Sequence, residues 1–202
     1  MARITSYATL VSAIEDRMNN TSLDDYVDDF IQMAEAMFNR RLNNLDMEGT
    51  ATITADDDLP LPTDYKGSMT IRIDDEKPLE QLSADDFQIR YANVEDGPPK
   101  HFSIFGGNIN LGPAPDGTYT VTMTYMRTLT GLTSTNTSNW LLEQHPDLYL
   151  YGSLMHAEFR GWNDERLPLI NSAVEQMIAE INGYDARRRR GLLPGTVKAD
   201  FF

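Results

Sequence analysis

The sequence predicts an α+β fold in which helix pairs from the two ends of the chain form a bundle and an antiparallel β region is inserted between them. Apolar residues recur at helical spacing near the start of the 202-residue chain and again in its last third. Between these parts, apolar and polar residues alternate as in half-buried strands. We therefore predict a helical bundle of residues 1–48 and 139–186, an inserted β-rich region of residues 49–138, and an extended C-terminal tail of residues 187–202.

Two helices are predicted before the β region. In the first, from Ile4 to about Asn19, the apolar residues share one side. The second follows Ser22, a good N-cap, and its apolar stripe runs to Leu45. Aspartates in its first turn lie at the positive end of the helix dipole, so a solvated acidic face explains them better than a cation site.

The middle of the chain carries strand and turn signals. Strands are predicted at residues 50–54, 68–73, 101–105, 106–111 and 118–126, and a short helix capped by Ser83 at residues 83–91. Gly106 and Gly107 suit the two-residue turn of a hairpin. The three aspartates at residues 56–58 lack the alternate spacing and the glycine of a calcium loop, so they do not predict a metal site.

The stretch from Asn139 to Trp162 is predicted to contain the central helix of the core. Pro146 fits the first turn of a helix, where its missing N–H costs nothing. Apolar residues then occupy two faces, and a helix that is apolar on two sides must be covered on both. Gly152 in its interior indicates close approach of another backbone. The predicted core hub comprises Leu148, Tyr151, Gly152, Leu154, Met155, Phe159 and Trp162.

The last helix is predicted from Asp164 to about Tyr184, and Gly191 and Pro194 prevent its continuation further along the chain. Four consecutive arginines precede an apolar end, and they have two open interpretations. In the first, they are solvated, and their positive charges interact favourably with the negative, C-terminal end of the helix dipole. In the second, they are a basic segment that binds an acidic partner or nucleic acid. The candidate residues for binding a partner protein or a neighbouring subunit are Arg187, Arg188, Arg189, Arg190, Leu192, Leu193, Phe201 and Phe202.

Composition excludes several classes of protein. The formal net charge is −14, from 31 acidic and 17 basic residues, so the general surface should repel DNA phosphates. There is no cysteine, which excludes disulfides, thiolate metal sites and cysteine nucleophiles. No apolar run approaches the roughly 20 residues that span a bilayer, and no signal peptide is recognisable, so we predict no membrane association.

The residue types that perform catalysis do not form a recognisable pattern. His145 and His156 are three helical turns apart and cannot share a metal ion. Ser153 and His156 are spaced to meet, but Ser153 does not follow a strand and no acidic residue is placed to orient the histidine. No glycine-rich phosphate loop is present. We therefore predict no catalytic residue, no cofactor and no metal site.

An ordered set of short motifs resembles the head-to-tail adaptor proteins of tailed bacteriophages. The resemblance covers about residues 5–182, and the order of the motifs makes it more specific than any one of them. The motifs are Glu35–Leu42, Leu61–Tyr65, Pro78–Glu80, Gly97–Ile104, Ile109–Pro115, Thr120–Tyr125, Asn139–Leu142, Pro146–Leu154 and Asp164–Arg166.

The resemblance implies a structural virion protein without enzymatic activity. Such adaptors form a ring, usually of twelve copies, below the portal protein, in the neck between head and tail, after assembly in the host cytoplasm. The ring extends the channel, through which DNA passes without specific binding, and presents a platform to tail or nozzle proteins. Two other classes stay open: a non-virion assembly or regulatory module, and a hydrolase whose carboxylates the fold brings together.

Overall fold

The structure of the chain is a computed structural model that describes residues 3–18, 21–55, 59–74, 77–161 and 166–189. It combines helices and sheets, which confirms the α+β class. The chain forms two compact units. The helical unit comprises Met1–Asp46 and Leu129–Phe202, and the β unit comprises Met47–Thr128.

Six α-helices are described, and five of them belong to the helical unit. They are α1 (Tyr7–Met18), α2 (Val27–Arg41), α4 (Trp140–Gln144), α5 (Pro146–Gly161) and α6 (Leu167–Arg189), whereas α3 (Ala84–Tyr91) belongs to the β unit. α5 begins at Pro146, as predicted. The cap prediction for the second helix is wrong, because a 3-10 helix occupies residues 21–26 and α2 starts at Val27 without a side-chain cap.

α5 is the central helix of its unit and packs against α1, α2, α4 and α6. Leu148 and Leu154 are buried in these contacts. Tyr151 and Phe159, which we expected in the core, are 37% and 73% exposed. They lie eight residues apart on the one side of α5 that its neighbours leave uncovered, so their prediction as core residues is wrong. Trp162 lies outside the described residues.

Gly152 allows α5 to lie close to α2. A Cβ atom built on Gly152 would come within 2.6 Å of Cζ of Phe38 and within 3.5 Å of Cβ of Ala34. The close neighbour is therefore an aromatic side chain and not the backbone that the sequence suggested. Because the Phe38 ring is fully buried, it has little space into which it can move.

We expect Gly152→Ala to destabilise the protein, by up to about 2 kcal/mol. The clash with Phe38 costs about 1–3 kcal/mol as overpacking, and it exceeds the gain of up to about 1 kcal/mol in helix propensity. Gly183→Ala is the matched control, because a Cβ atom on Gly183 in α6 would meet nothing within 4 Å. Denaturant unfolding should show the control to be as stable as the wild type or more stable, and equal stabilisation by both changes would contradict the close packing.

The β unit contains seven strands in two sheets. The strands are β1 (Glu48–Ala55), β2 (Leu59–Pro60), β3 (Tyr65–Ile73), β4 (Glu80–Gln81), β5 (His101–Phe105), β6 (Asn108–Gly112) and β7 (Tyr119–Arg127). One sheet has the order β1-β7-β3 and the other the order β2-β6-β5-β4. Both sheets contribute to one apolar core, which includes Ile71, Phe102 and Met123.

Local signals in the β region are confirmed. β7 is the predicted half-buried strand and pairs antiparallel with both β1 and β3. β5 and β6 form the predicted antiparallel hairpin, and Gly106 and Gly107 have φ values of 65° and 81°, which a two-residue type I′ turn requires. Ser83 caps α3 by accepting a hydrogen bond from the backbone N–H of Asp86.

The 129–138 connection belongs to the helical unit, although the sequence analysis assigned it to the inserted region. Hydrogen bonds to backbone and side-chain acceptors attach it there. Tyr7 N–H donates to Thr137 O at 2.7 Å, Leu129 N–H donates to Asn39 Oδ1 at 2.7 Å, and Leu132 N–H donates to Glu35 at 2.7 Å. Its polar composition looked like a surface loop, because sequence does not reveal which distant residues will accept its hydrogen bonds.

Candidate functional site

A buried carboxylate on α2 connects three parts of the helical unit. Oε1 of Glu35, a residue only 8% exposed, accepts hydrogen bonds from Leu132 N–H at 2.7 Å and from the Tyr149 hydroxyl at 3.0 Å. The side-chain amide of Asn139 donates to the same hydroxyl at 2.6 Å. The network therefore joins α2, the 129–138 connection and α5. Sequence reasoning missed it, because no local pattern marks residues 114 positions apart as partners.

Burial and hydrogen bonding act in opposite directions on this carboxylate. Burial raises the pKa of Glu35, whereas the hydrogen bonds from Leu132 and Tyr149 lower it, and burial has the larger effect. The pKa of the Tyr149 hydroxyl is also raised, first by burial and then by the nearby charge of Glu35. Because both donors bind the same oxygen of Glu35 and hold the 129–138 connection in place, the network has the geometry of a structural anchor.

We expect Glu35→Ala to destabilise the protein by about 1–3 kcal/mol in urea unfolding, because it leaves the buried N–H of Leu132 unpaired.

Glu35→Gln keeps an acceptor oxygen and removes the charge. Since the folded-state pKa lies above the ordinary value of 4.5, the wild type binds its proton more tightly when folded. The stability of the wild type relative to Glu35→Gln should therefore fall as the pH rises above about 4.5. Urea unfolding between pH 4 and 8 measures this difference, and a constant difference would contradict the raised pKa.

An acidic cleft of about 890 Å³ lies beside this network, between α1, α2 and the 129–138 connection. Asp28, Asp29 and Glu35 line it, and its described lining contains no basic residue. The hydroxyl of Tyr7 donates a hydrogen bond to Asp28, and burial together with this carboxylate raises the pKa of Tyr7 to about 12. A cleft with this charge does not suit a phosphate ligand.

Side chains from the middle to the end of α6 interact with residues 41–46. Arg41 forms a bidentate ion pair with Glu175. The carboxylate of Asp185, which is almost fully buried, accepts a hydrogen bond from Leu45 N–H at 2.9 Å. Arg188 pairs with Asp46 at 3.1 Å. α6 therefore continues through Arg189, and the prediction that the extended tail begins at residue 187 is wrong.

The predicted partner-binding residues divide into two groups. Arg187, Arg188 and Arg189 are part of α6, and Arg187 is exposed. Arg188 already has a partner in its own chain, which the sequence could not show. The other predicted residues lie outside the described part of the chain: Arg190, Leu192, Leu193, Phe201 and Phe202.

Exposed apolar side chains form a second candidate surface on the helical unit. Tyr151, Met155 and Phe159 follow one another at intervals of four residues along α5, which places them in one row. We call these three residues the α5 stripe. Phe159 is the most exposed of them at 73%, and Met155 is half-buried. Such a row is typical of a helix face that another protein covers.

Comparison with known protein families identifies the family of this chain. A family model described as SU10 adaptor protein matches residues 5–198, which is nearly the whole chain. The chain belongs to the SU10 adaptor protein family. This confirms the resemblance to bacteriophage head-to-tail adaptors that the ordered motifs carry. The chain matches none of the curated proteins.

Membership in the SU10 adaptor protein family supports a structural role as a bacteriophage adaptor. Ser153 and His156 are spaced to meet on α5, but they do not share a hydrogen bond. Among the described residues, neither Oγ of the buried Ser153 nor Nε2 of His156 has a hydrogen-bond partner. Burial lowers the pKa of His156, and the charge of Arg40 adds to this effect.

The described ranges of this SU10 adaptor protein contain neither a cluster of metal ligands nor a membrane-spanning helix. Among these residues, no group of three or more histidines and acidic side chains could hold a metal ion. No helix in the same ranges has the length and apolar character needed to cross a bilayer.

Proposed function

We propose that the chain is a structural virion protein that joins the head of a tailed bacteriophage to its tail. It forms a ring, of twelve copies in our proposal, below the portal protein in the neck of the virion. The ring extends the DNA channel and presents a platform to tail or nozzle proteins. The observation that carries the proposal is the family match over residues 5–198.

Two surfaces are proposed to make the contacts of this ring. The C-terminal residues beyond α6 bind the portal protein or a neighbouring subunit, with Arg190 meeting a carboxylate and the phenylalanines filling apolar pockets. The α5 stripe faces another protein in the neck. Fully burying a side chain such as Phe159 contributes about 1.5–3 kcal/mol, so covering the stripe favours assembly over the free chain.

The charge of the chain suits a channel through which DNA slides. At −14 per chain, a ring of twelve copies carries on the order of −170 before counterions bind. An acidic inner wall repels the phosphates and a neutral one does not attract them, so DNA passes in either direction without specific binding. The acidic cleft of the helical unit would likewise repel phosphates, because Asp28, Asp29 and Glu35 line it.

The test of this function is to mix the purified chain with portal protein of its own phage and to image the product by electron microscopy. We expect a ring on one end of the portal, and mass spectrometry should find the chain in purified virions. The isolated chain should not retain duplex DNA at low salt. Absence from virions would contradict the adaptor role, and tight DNA binding with a steep salt dependence would contradict the repulsive channel.

A further inference from the structure

Three of the four sheet edges in the β unit carry features that prevent pairing with another strand. β3 contains register shifts around Gly67, and the N–H of Leu79 donates to Ile71 O in the same strand. β2 and β4 are two residues long, and β2 contains Pro60, which has no N–H to offer. Short strands, bulges and proline are the devices by which proteins protect exposed edges.

β1, the fourth edge, has no such protection. It pairs with β7 through eight consecutive residues without a register shift, and no described strand pairs with its other side. Residues 49–55 are Gly, Ala, Thr and Ile, with no charge and no proline. In an antiparallel strand, every second residue directs its N–H and C=O away from the partner strand. β1 therefore presents a row of donors and acceptors that no described strand binds.

The end of the chain has the sequence pattern of a strand that can pair with the open edge of β1. Val197, Ala199 and Phe201 alternate with Thr196, Lys198 and Asp200. Thirteen residues follow the end of α6 at Arg189, and they reach up to about 40 Å when fully extended. Gly191, Pro194 and Gly195 lie between the helix and the alternating segment, so they separate it from α6.

We propose that residues 196–202 of one copy add as an extra strand to the β1 edge of a neighbouring copy. Main-chain hydrogen bonds to an open edge provide affinity, and alternate side chains provide fit. Ala51 and Ile53 of β1 face the core of the β unit and are only half-buried. The apolar face of the added strand, Val197 and Phe201, covers them.

We assign the β1 edge to the tail of a neighbouring copy, and not to a second β1 strand, because the chain is proposed to form a ring. Two β1 strands that paired with each other would make a symmetric contact, which closes as a dimer. A ring instead requires a contact between two different surfaces of the same chain. The tail and the β1 edge are two such surfaces. This inference therefore rests on the proposed function for its choice of a second copy.

Hydrogen–deuterium exchange of residues 49–55 tests the proposal on the full chain, both alone at increasing concentration and assembled on portal protein. We expect exchange to slow on the order of tenfold or more as copies associate. Ala199→Pro removes a donor from the added strand and should abolish the protection. Ala199→Val keeps the N–H and the alternation and should retain it.

Mixing two forms of the chain identifies the source of the strand. An isotope-labelled chain that lacks residues 196–202 has the edge but no tail of its own. Adding the unlabelled full chain should protect residues 49–55 of the labelled copies. Protection that appears only within full chains, independently of concentration, would mean that each tail covers its own edge and would overturn the proposal. Fast exchange of residues 49–55 both in the chain alone and in the chain assembled on portal protein would also overturn it.

The same data separate this inference from the adaptor role. Protection between copies in a chain that does not attach to portals would keep the inference and contradict the proposed function. A ring on portals in which Ala199→Pro changes neither exchange nor assembly would keep the function and contradict the inference.

Discussion

Leu154→Asp is expected to unfold the helical unit or to lower its stability by several kcal/mol. Leu154 is 2% exposed on α5, the helix that contacts α1, α2, α4 and α6. An aspartate there would have to bury a carboxylate without a partner or expose the core to water. Because domains are stable by only about 5–15 kcal/mol, such a loss removes much of the available stability.

Leu169→Asp is the matched control for that experiment. Leu169 is 78% exposed in the first turn of α6, where a negative charge also suits the helix dipole. Its replacement should change stability by no more than about 0.5 kcal/mol. Circular dichroism during heating compares the two variants. A Leu154→Asp protein as heat-stable as the control would show that α5 is not the centre of its unit.

Deletion of residues 190–202 is expected to leave the chain folded and to abolish its assembly on portals. The deletion starts at residue 190 because α6 continues through Arg189 and Arg188 pairs with Asp46. A cut at residue 187 would also remove that ion pair and would confuse a loss of folding with a loss of binding. The shorter deletion removes only residues to which we assign a partner outside the chain.

Co-sedimentation with portal particles measures the effect, and two smaller changes show its origin. Replacing Phe201 and Phe202 with alanine should weaken assembly more than Arg190→Ala. Each buried phenylalanine contributes about 1.5–3 kcal/mol, whereas a surface arginine pair contributes about 0–1 kcal/mol. A truncated chain that sediments with portals as well as the full chain does would rule out this role of the tail.

Features of the fold that depend on neighbouring residues were predictable from the sequence. Ser83 caps α3, Pro146 starts α5, and Gly106 with Gly107 turns the hairpin between β5 and β6. In each case the residue acts within its own turn, so its backbone geometry or its hydrogen bond is decided locally. The order of helices and strands follows from the same local patterns.

Features that depend on distant residues were not predictable. Tyr149 is fully buried although the helical pattern did not place it in the core, because Glu35 and Asn139 satisfy its hydroxyl. Phe159 is apolar yet exposed, since no helix in the described part of the chain covers that side of α5. Periodicity identifies apolar faces, but it does not reveal whether the covering surface belongs to the same chain.

The same limit applies to the candidate surfaces. The tail was found from its composition alone, because four arginines and an apolar end are unusual on an acidic chain. The β1 edge was not found, because β1 pairs with a strand about 70 residues later and the sequence does not state which strand lies at an edge. Family motifs identified the adaptor role without indicating either surface.

The insertion of the β unit also determines the order in which the chain can fold during translation. Residues 47–128 are contiguous, so this unit can fold as soon as it leaves the ribosome. α1 and α2 must wait for α5, which begins at Pro146, about 100 residues after Asp46. At 5–20 residues per second, the wait is roughly 5–20 s. During that time α1 and α2 can contact each other, but the apolar faces that pack against α5 have no partner from their own chain. The nascent helical unit is therefore the part of this protein with the greatest need for a chaperone.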